Sequence, residues 1–149
     1  MKAQHWIAAI ALVALAAPAF AQQPSPAGRV KVVSGSAFIV RSGGEIRAEV
    51  GQSVFESDSL RTGEDGSIGV TLDGDTRLSL GPGSEVRLSS FRYAPAQGSV
   101  GLAMNFLRGI AVYVSGQIAK LAPDAVRLET PSAIVGVRGT TLAVQVVSE

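Results

Sequence analysis

The chain has 149 residues, with 13 lysines and arginines against 12 aspartates and glutamates, one histidine and no cysteine. Near-balanced charge gives no strongly attractive field for nucleic acid or anionic lipid, so neither is an expected partner. The lack of cysteine excludes a disulfide framework, a lipid-modified cysteine and thiol chemistry.

Residues 1–21 read as a secretory signal peptide. Lys2 begins a short basic region, Trp6 to Leu15 is almost wholly apolar, and Ala19-Phe20-Ala21 fits an A-x-A cleavage site. The apolar run falls short of the roughly 20 residues that cross a bilayer, so no membrane span is expected after cleavage. Residues 22–28 read as a flexible leader and residues 29–149 as one β domain. Cleavage also removes Lys2, His5 and Trp6, which leaves basic and acidic residues equal in number and no histidine. The expected location is the periplasm, and stability must come from packing and backbone pairing.

From Arg29 onward the pattern has a period near two. Val30-Lys31-Val32, Ile68-Gly69-Val70-Thr71-Leu72, Thr76-Arg77-Leu78-Ser79-Leu80 and Glu85-Val86-Arg87-Leu88 read as half-buried strands. Ser42-Gly43-Gly44, Glu64-Asp65-Gly66, Asp73-Gly74-Asp75 and Gly81-Pro82-Gly83 supply turns between them. All 17 glycines lie beyond the expected cleavage point, which fits many tight turns. Gly66-Ser67 and Gly83-Ser84 each precede an alternating strand, and this likeness suggests a short coil-like repeat.

Val100 to Leu107 suits a helix by composition, but Gly98, Gly101, Gly109 and Gly116 would each cost a helix about 1 kcal/mol relative to alanine. Ile110-Ala111-Val112-Tyr113-Val114 is rich in β-formers. Two strands joined at Arg108-Gly109 are expected. Val126 to Thr130 alternates once more before Pro131, which has no N–H for a ladder and belongs at a strand end or edge.

The segment Thr130-Pro131-Ser132-Ala133-Ile134-Val135-Gly136-Val137-Arg138-Gly139-Thr140 then sets one arginine between two glycines among apolar residues. A guanidinium keeps its charge, so Arg138 needs water or acceptors that its fork satisfies. It reads either as an internal clamp, on carbonyls or on a carboxylate such as Glu129 or Asp58, or as a contact to a ligand. Gly136 and Gly139 suit a bulge or turn, with a last strand from Thr140 to Val147.

This segment resembles the hallmark of the FecR domain family, T-P-x-A-x-x-x-V-R-G-T followed by a hydrophobic strand. Val50-Gly51 with Asp58-Ser59-Leu60-Arg61-Thr62-Gly63 resembles the family's G-D-x-L-x-T-G element. Leu72-Asp73-Gly74-Asp75-Thr76-Arg77-Leu78 resembles its L-x-D-G-S-x-l hairpin. Ser57 departs from the glycine usual before the aspartate, and Asp75 from a common serine. Proteins of the family are known as membrane-spanning regulators of iron-responsive sigma factors, with a cytoplasmic segment, one membrane helix and this domain in the periplasm. The resemblance implies a periplasmic all-β domain, a short twisted β-solenoid or β-roll. With no catalytic residue types, membrane helix or cytoplasmic segment expected after cleavage, Thr130, Pro131, Gly136, Arg138, Gly139 and Thr140 read as a clasp for the last strand and not as a reactive site.

The remaining residue types argue against catalysis, since neither histidine nor cysteine is left as base or nucleophile. No cofactor or metal is expected: Asp73-Gly74-Asp75 and Glu64-Asp65-Gly66 lack the spacing of a calcium loop and suit hairpin turns. The expected function is therefore a non-catalytic binding and regulatory module for envelope sensing. A protein partner would add to an open strand edge, and homo-oligomers through such edges are also expected. The alternative is a structural or adhesion module that binds glycan or peptidoglycan. Phe91 and Tyr93 share one face of a strand and form the best small contact surface if exposed, or part of the core if not.

Overall fold

The structure, a computed structural model, describes residues 24–136 and 141–147 together with Pro18. Its strands are β1 (Gly28–Ser34), β2 (Ala37–Arg41), β3 (Gly44–Arg47), β4 (Ser53–Val54), β5 (Ser59–Thr62) and β6 (Ser67–Leu72). They continue with β7 (Thr76–Leu80), β8 (Glu85–Ala94), β9 (Ser99–Val114), β10 (Val126–Thr130), β11 (Ala133–Gly136) and β12 (Thr141–Val146). The one α-helix among the described residues, α1 (Gln117–Leu121), is five residues long. The chain is all-β, as the alternation demands. Ala27 and Gly28, expected in the leader, belong to the fold: both are buried, and the Ala27 N–H donates to the Val54 carbonyl at 2.7 Å.

The strands form one 12-stranded sheet that curls into a half-barrel. Its two halves share β9. Residues 99–108 of β9 pair with β8 and β10, in a half ordered β3-β2-β5-β8-β9-β10-β11. Residues 109–114 pair with β7 and β12, in a half ordered β4-β1-β6-β7-β9-β12. Every pair is antiparallel except β9 with β10, and the coil-on-coil stacking expected of a solenoid is not seen among the described residues. Alternation tells each strand which side chains to bury but not which strand to join, so it fits a curled sheet as well as a coil.

The expected break at Arg108-Gly109 is a bend within one continuous strand. Gly109 has φ +84°, where a side chain is strained. The chain also passes between the halves at Gly35-Ser36, Gly63 to Gly66 and Gly81 to Ser84, so all these crossings gather along one corner. Backbone bonds stitch them together: Gly63 N–H to the Ser36 carbonyl at 2.9 Å, Gly83 N–H to that of Gly63 at 3.0 Å, and Gly81 N–H to that of Ile110 at 2.9 Å. The Gly66-Ser67 and Gly83-Ser84 likeness thus marks two passages of the corner. A Cβ at Gly66 would run into the Ser36 carbonyl, so close approach of two backbones is what that glycine allows.

Inside the curl, Val30, Val70, Leu78 and Tyr113 from one half and Ile39, Leu60, Val86, Phe106 and Leu128 from the other form one core cluster. Tyr113 is fully buried, which raises its hydroxyl pKa above the usual value.

Candidate functional site

Two polar knots, one half-buried and one buried, fix the frame that carries the C-terminal segment. In the first, the Arg41 Nε and Nη2 atoms donate to both oxygens of Asp58 at 2.9 and 2.7 Å, and Nη2 also reaches the Ser53 carbonyl at 3.2 Å. Asp58 further accepts the Phe55 N–H at 2.9 Å, and the guanidinium lies 4.7 Å from the Phe55 ring centre. The hydrogen bonds to Asp58 hold the Arg41 guanidinium above its ordinary range, since they favour the charged form. Asp58 is therefore already engaged, and so is Glu129, which pairs with Arg127 at 2.7 Å. Both carboxylates proposed for Arg138 from the sequence have other guanidinium partners.

The second knot holds the corner. Buried Thr62 donates from Oγ1 to the Gly81 carbonyl at 2.7 Å and accepts the Ser84 N–H at 2.9 Å. Ser84 Oγ accepts the Ile110 N–H and donates to the Ile110 carbonyl, each at 2.9 Å. Small hydroxyls serve here because the bent strands leave ladder groups unmet in the interior. Reading the sequence missed this knot, although its signal lay in Thr62-Gly63 and Gly83-Ser84.

On this frame β10, β11 and β12 all lie on one side of β9. Thr130 closes the β10–β11 hairpin: its Oγ1 accepts the Ala133 N–H at 3.1 Å across the Pro131-Ser132 turn. Pro131 sits exposed at the tip, where no ladder N–H is needed. Gly136 ends β11 opposite Arg127. Arg138, Gly139 and Thr140 lie outside the described residues. Phe91 and Tyr93 do share a face, and it is the inner one: both are half-buried and pack against the core. Tyr93 covers Gly74, where a Cβ would stand 2.6 Å from its Cε2.

Among the described residues β12 pairs with β9 alone and β11 with β10 alone, so each shows an open edge. Leu107, Ile110, Ile134 and Val147 are exposed nearby in the chain's C-terminal half. A cleft lined by Leu107, Thr130, Pro131, Ser132, Gln145, Val146 and Val147 separates the hairpin tip from the end of β12. The described residues hold no cluster of histidine, cysteine, aspartate or glutamate suited to a metal, and no helix long and apolar enough to cross a membrane. What the arrangement offers chemically is unpaired backbone N–H and C=O groups beside apolar side chains.

A family profile described as FecR protein matches residues 58–149, more than half the chain. The chain belongs to the FecR family. The match starts at Asp58, yet the FecR fold here needs the residues before it, since Arg41 satisfies Asp58 and β1 and β2 extend both halves. No curated protein and no solved structure gives a match.

Proposed function

We propose that this chain is an exported, non-catalytic regulatory module of the cell envelope, which acts by taking a strand of a partner protein onto the open edge of β12. One observation carries the reading: β12 has β9 on one side and, among the described residues, no strand on the other. A bare edge is a template for another chain, and natural proteins usually blunt it with lysine, proline or a bulge. Thr141-Leu142-Ala143-Val144-Gln145-Val146 carries no charge and no proline. Membership of the FecR family supports a signalling role, and the apolar first segment supports export. Backbone pairing would supply affinity, and pockets for alternate side chains would supply choice.

The test is site-specific crosslinking in cells, with a photoreactive residue at Ala143 or Gln145, both exposed on β12, and at Arg77 on β7 as a control. The reading expects an adduct with a discrete envelope protein from the β12 positions and none from Arg77. In the purified pair, β12 amides should gain protection from hydrogen exchange. Equal labelling at all three positions, or no gain in β12 protection, would sink it.

A further inference from the structure

We infer that β3, an edge of the sheet remote in sequence from β12, pairs antiparallel with β3 of a second copy of this chain. Glu45 of each copy then meets Arg47 of the partner subunit, and the two Ile46 side chains touch at the two-fold axis. β3 has β2 on one side and, among the described residues, no strand on the other. Its four residues, Gly44, Glu45, Ile46 and Arg47, are all exposed.

The hairpin decides which backbone groups are free. Ser42 and Gly43 have φ of +49° and +77°, as the two central residues of a type I′ turn need, and Arg41 faces Gly44 across them. Such a turn closes on a hydrogen-bonded pair, and along an antiparallel ladder bonded and non-bonded pairs alternate. Gly44, Ile46 and Ala48 therefore turn their N–H and C=O groups toward β2, and the Ala48 N–H does donate to the Ala37 carbonyl at 2.9 Å. Glu45 and Arg47 turn theirs to the open edge. The next outward N–H, that of Glu49, donates to Gln52 Oε1 at 3.0 Å, which ends the free stretch. Two copies laid antiparallel about Ile46 set Glu45 against the partner's Arg47 as a bonded pair, twice over, each pair exchanging both its backbone bonds.

The side chains agree with the backbone. Ile46 faces Ile39, which is fully buried, so Ile46 lies on the inner face, yet it is 40% exposed because the sheet ends there. The partner's Ile46, in a non-bonded pair with Cα atoms about 4.5 Å apart, would cover it. Glu45 and Arg47 lie on the outer face. Arg47 has no ion-pair partner among the described residues, and Glu45 meets Arg61 through Oε2, which leaves its Oε1 to accept from the partner's Arg47.

Charge order selects a second copy as the occupant. Read backward, Glu45-Ile46-Arg47 presents arginine, isoleucine and glutamate, so the segment is its own complement, as an isologous two-fold interface requires. The same order fixes the register. With the axis at Glu45, glutamate would face glutamate, and with the axis at Arg47, arginine would face arginine while Glu45 faced the partner's Glu49. Like charges directly opposite are destabilising, so both neighbouring registers lose. Edge charges commonly keep strands apart, but here they exclude the wrong alignments and reward one. The contact is small, so the dimer is a weak one. This edge is separate from that of β12, and either reading can fail without the other.

The chain has no cysteine, so single cysteines report the contact directly. Sedimentation velocity of the full chain over a concentration series should show a monomer–dimer equilibrium that weakens as salt is added. Mild oxidation should give a covalent dimer of Ile46→Cys, since Cα atoms about 4.5 Å apart suit a disulfide. It should give little from Glu45→Cys, whose copies lie on a diagonal at about 7–8 Å. Arg47→Glu, which sets glutamate against glutamate, should weaken association roughly tenfold or more. Glu45→Arg combined with Arg47→Glu, which restores opposite charges in the reverse order, should recover it. Melting curves check folding, and the oxidation of Ile46→Cys still decides should a charge variant lose its transition. A monomer at every concentration, equal oxidation of the two cysteine variants, association unmoved by Arg47→Glu, or no recovery in the double reversal overturns the inference.

Discussion

Asp58 shows how a single residue organises this fold. Its side chain is 2% exposed, and its two oxygens receive three bonds, two from Arg41 and one from the Phe55 backbone. The sequence offers Asp58 as an acceptor for Arg138, which lies outside the described residues, and in the structure it is Arg41 that Asp58 binds. The identity of that guanidinium was not legible, because Arg41 reaches it only when β2 and β5 lie side by side, a register that no local pattern encodes. Removing the carboxylate would strand Arg41 and the Phe55 N–H together. Loss of one member of a fully buried pair costs about 3–5 kcal/mol, but Arg41 is 33% exposed and water would recover part of that. Asp58→Ala should therefore lower unfolding free energy by about 2–3 kcal/mol, read from urea denaturation. Arg41→Met, which keeps an apolar stem on Phe55 but leaves the buried Asp58 carboxylate with the Phe55 N–H alone, should cost at least as much as Asp58→Ala. A change within about 0.5 kcal/mol for Asp58→Ala would show that the pair does not hold the frame.

At the scale of elements, β7 and β10 run where alternation and turn chemistry place them, Thr76–Leu80 and Val126–Thr130. Expectation and structure part at β9, since Gly109 reads as a terminator and acts as a bend. A glycine at positive φ can end a strand or turn it through a corner, and only the neighbours decide. Here the neighbours are Ser84 and Gly83, packed so that a Cβ on Gly109 would stand 2.5 Å from the Ser84 Cα and 2.7 Å from the Gly83 carbonyl oxygen. Gly98 provides the contrast, with φ +67° and nothing within 4 Å of a Cβ. Gly98→Ala should cost only the backbone strain, about 1 kcal/mol. Gly109→Ala adds displacement of Ser84 and its bonds to Ile110 and should cost about 3 kcal/mol or more. Thermal melts of the two variants, compared with the parent, check the difference. Equal shifts would mean that the corner yields freely and that the Thr62–Ser84 knot is not tight.

For the whole molecule, the distinction between a stack of coils and a curled sheet has a thermodynamic consequence. Coils contact only their neighbours, so an array of them can fray from one end. In this chain the halves share β9, are joined by three more passages of the chain at the corner, and pour their side chains into one cluster. Neither half can keep its inner face dry once the other leaves. The sequence left this open because inward-facing Val, Leu and Ile recur in the same period-two pattern under either architecture. Leu128 on β10 and Val70 on β6 belong to opposite halves and are both buried. Leu128→Ala should cost about 2–5 kcal/mol and Val70→Ala somewhat less. Each should lower the exchange protection of slow amides in both halves by the same free energy, as global unfolding requires. If Leu128→Ala loosened β8 and β10 while β1 and β6 kept their protection, the halves would be separate folding units. The corner would then be a hinge between them.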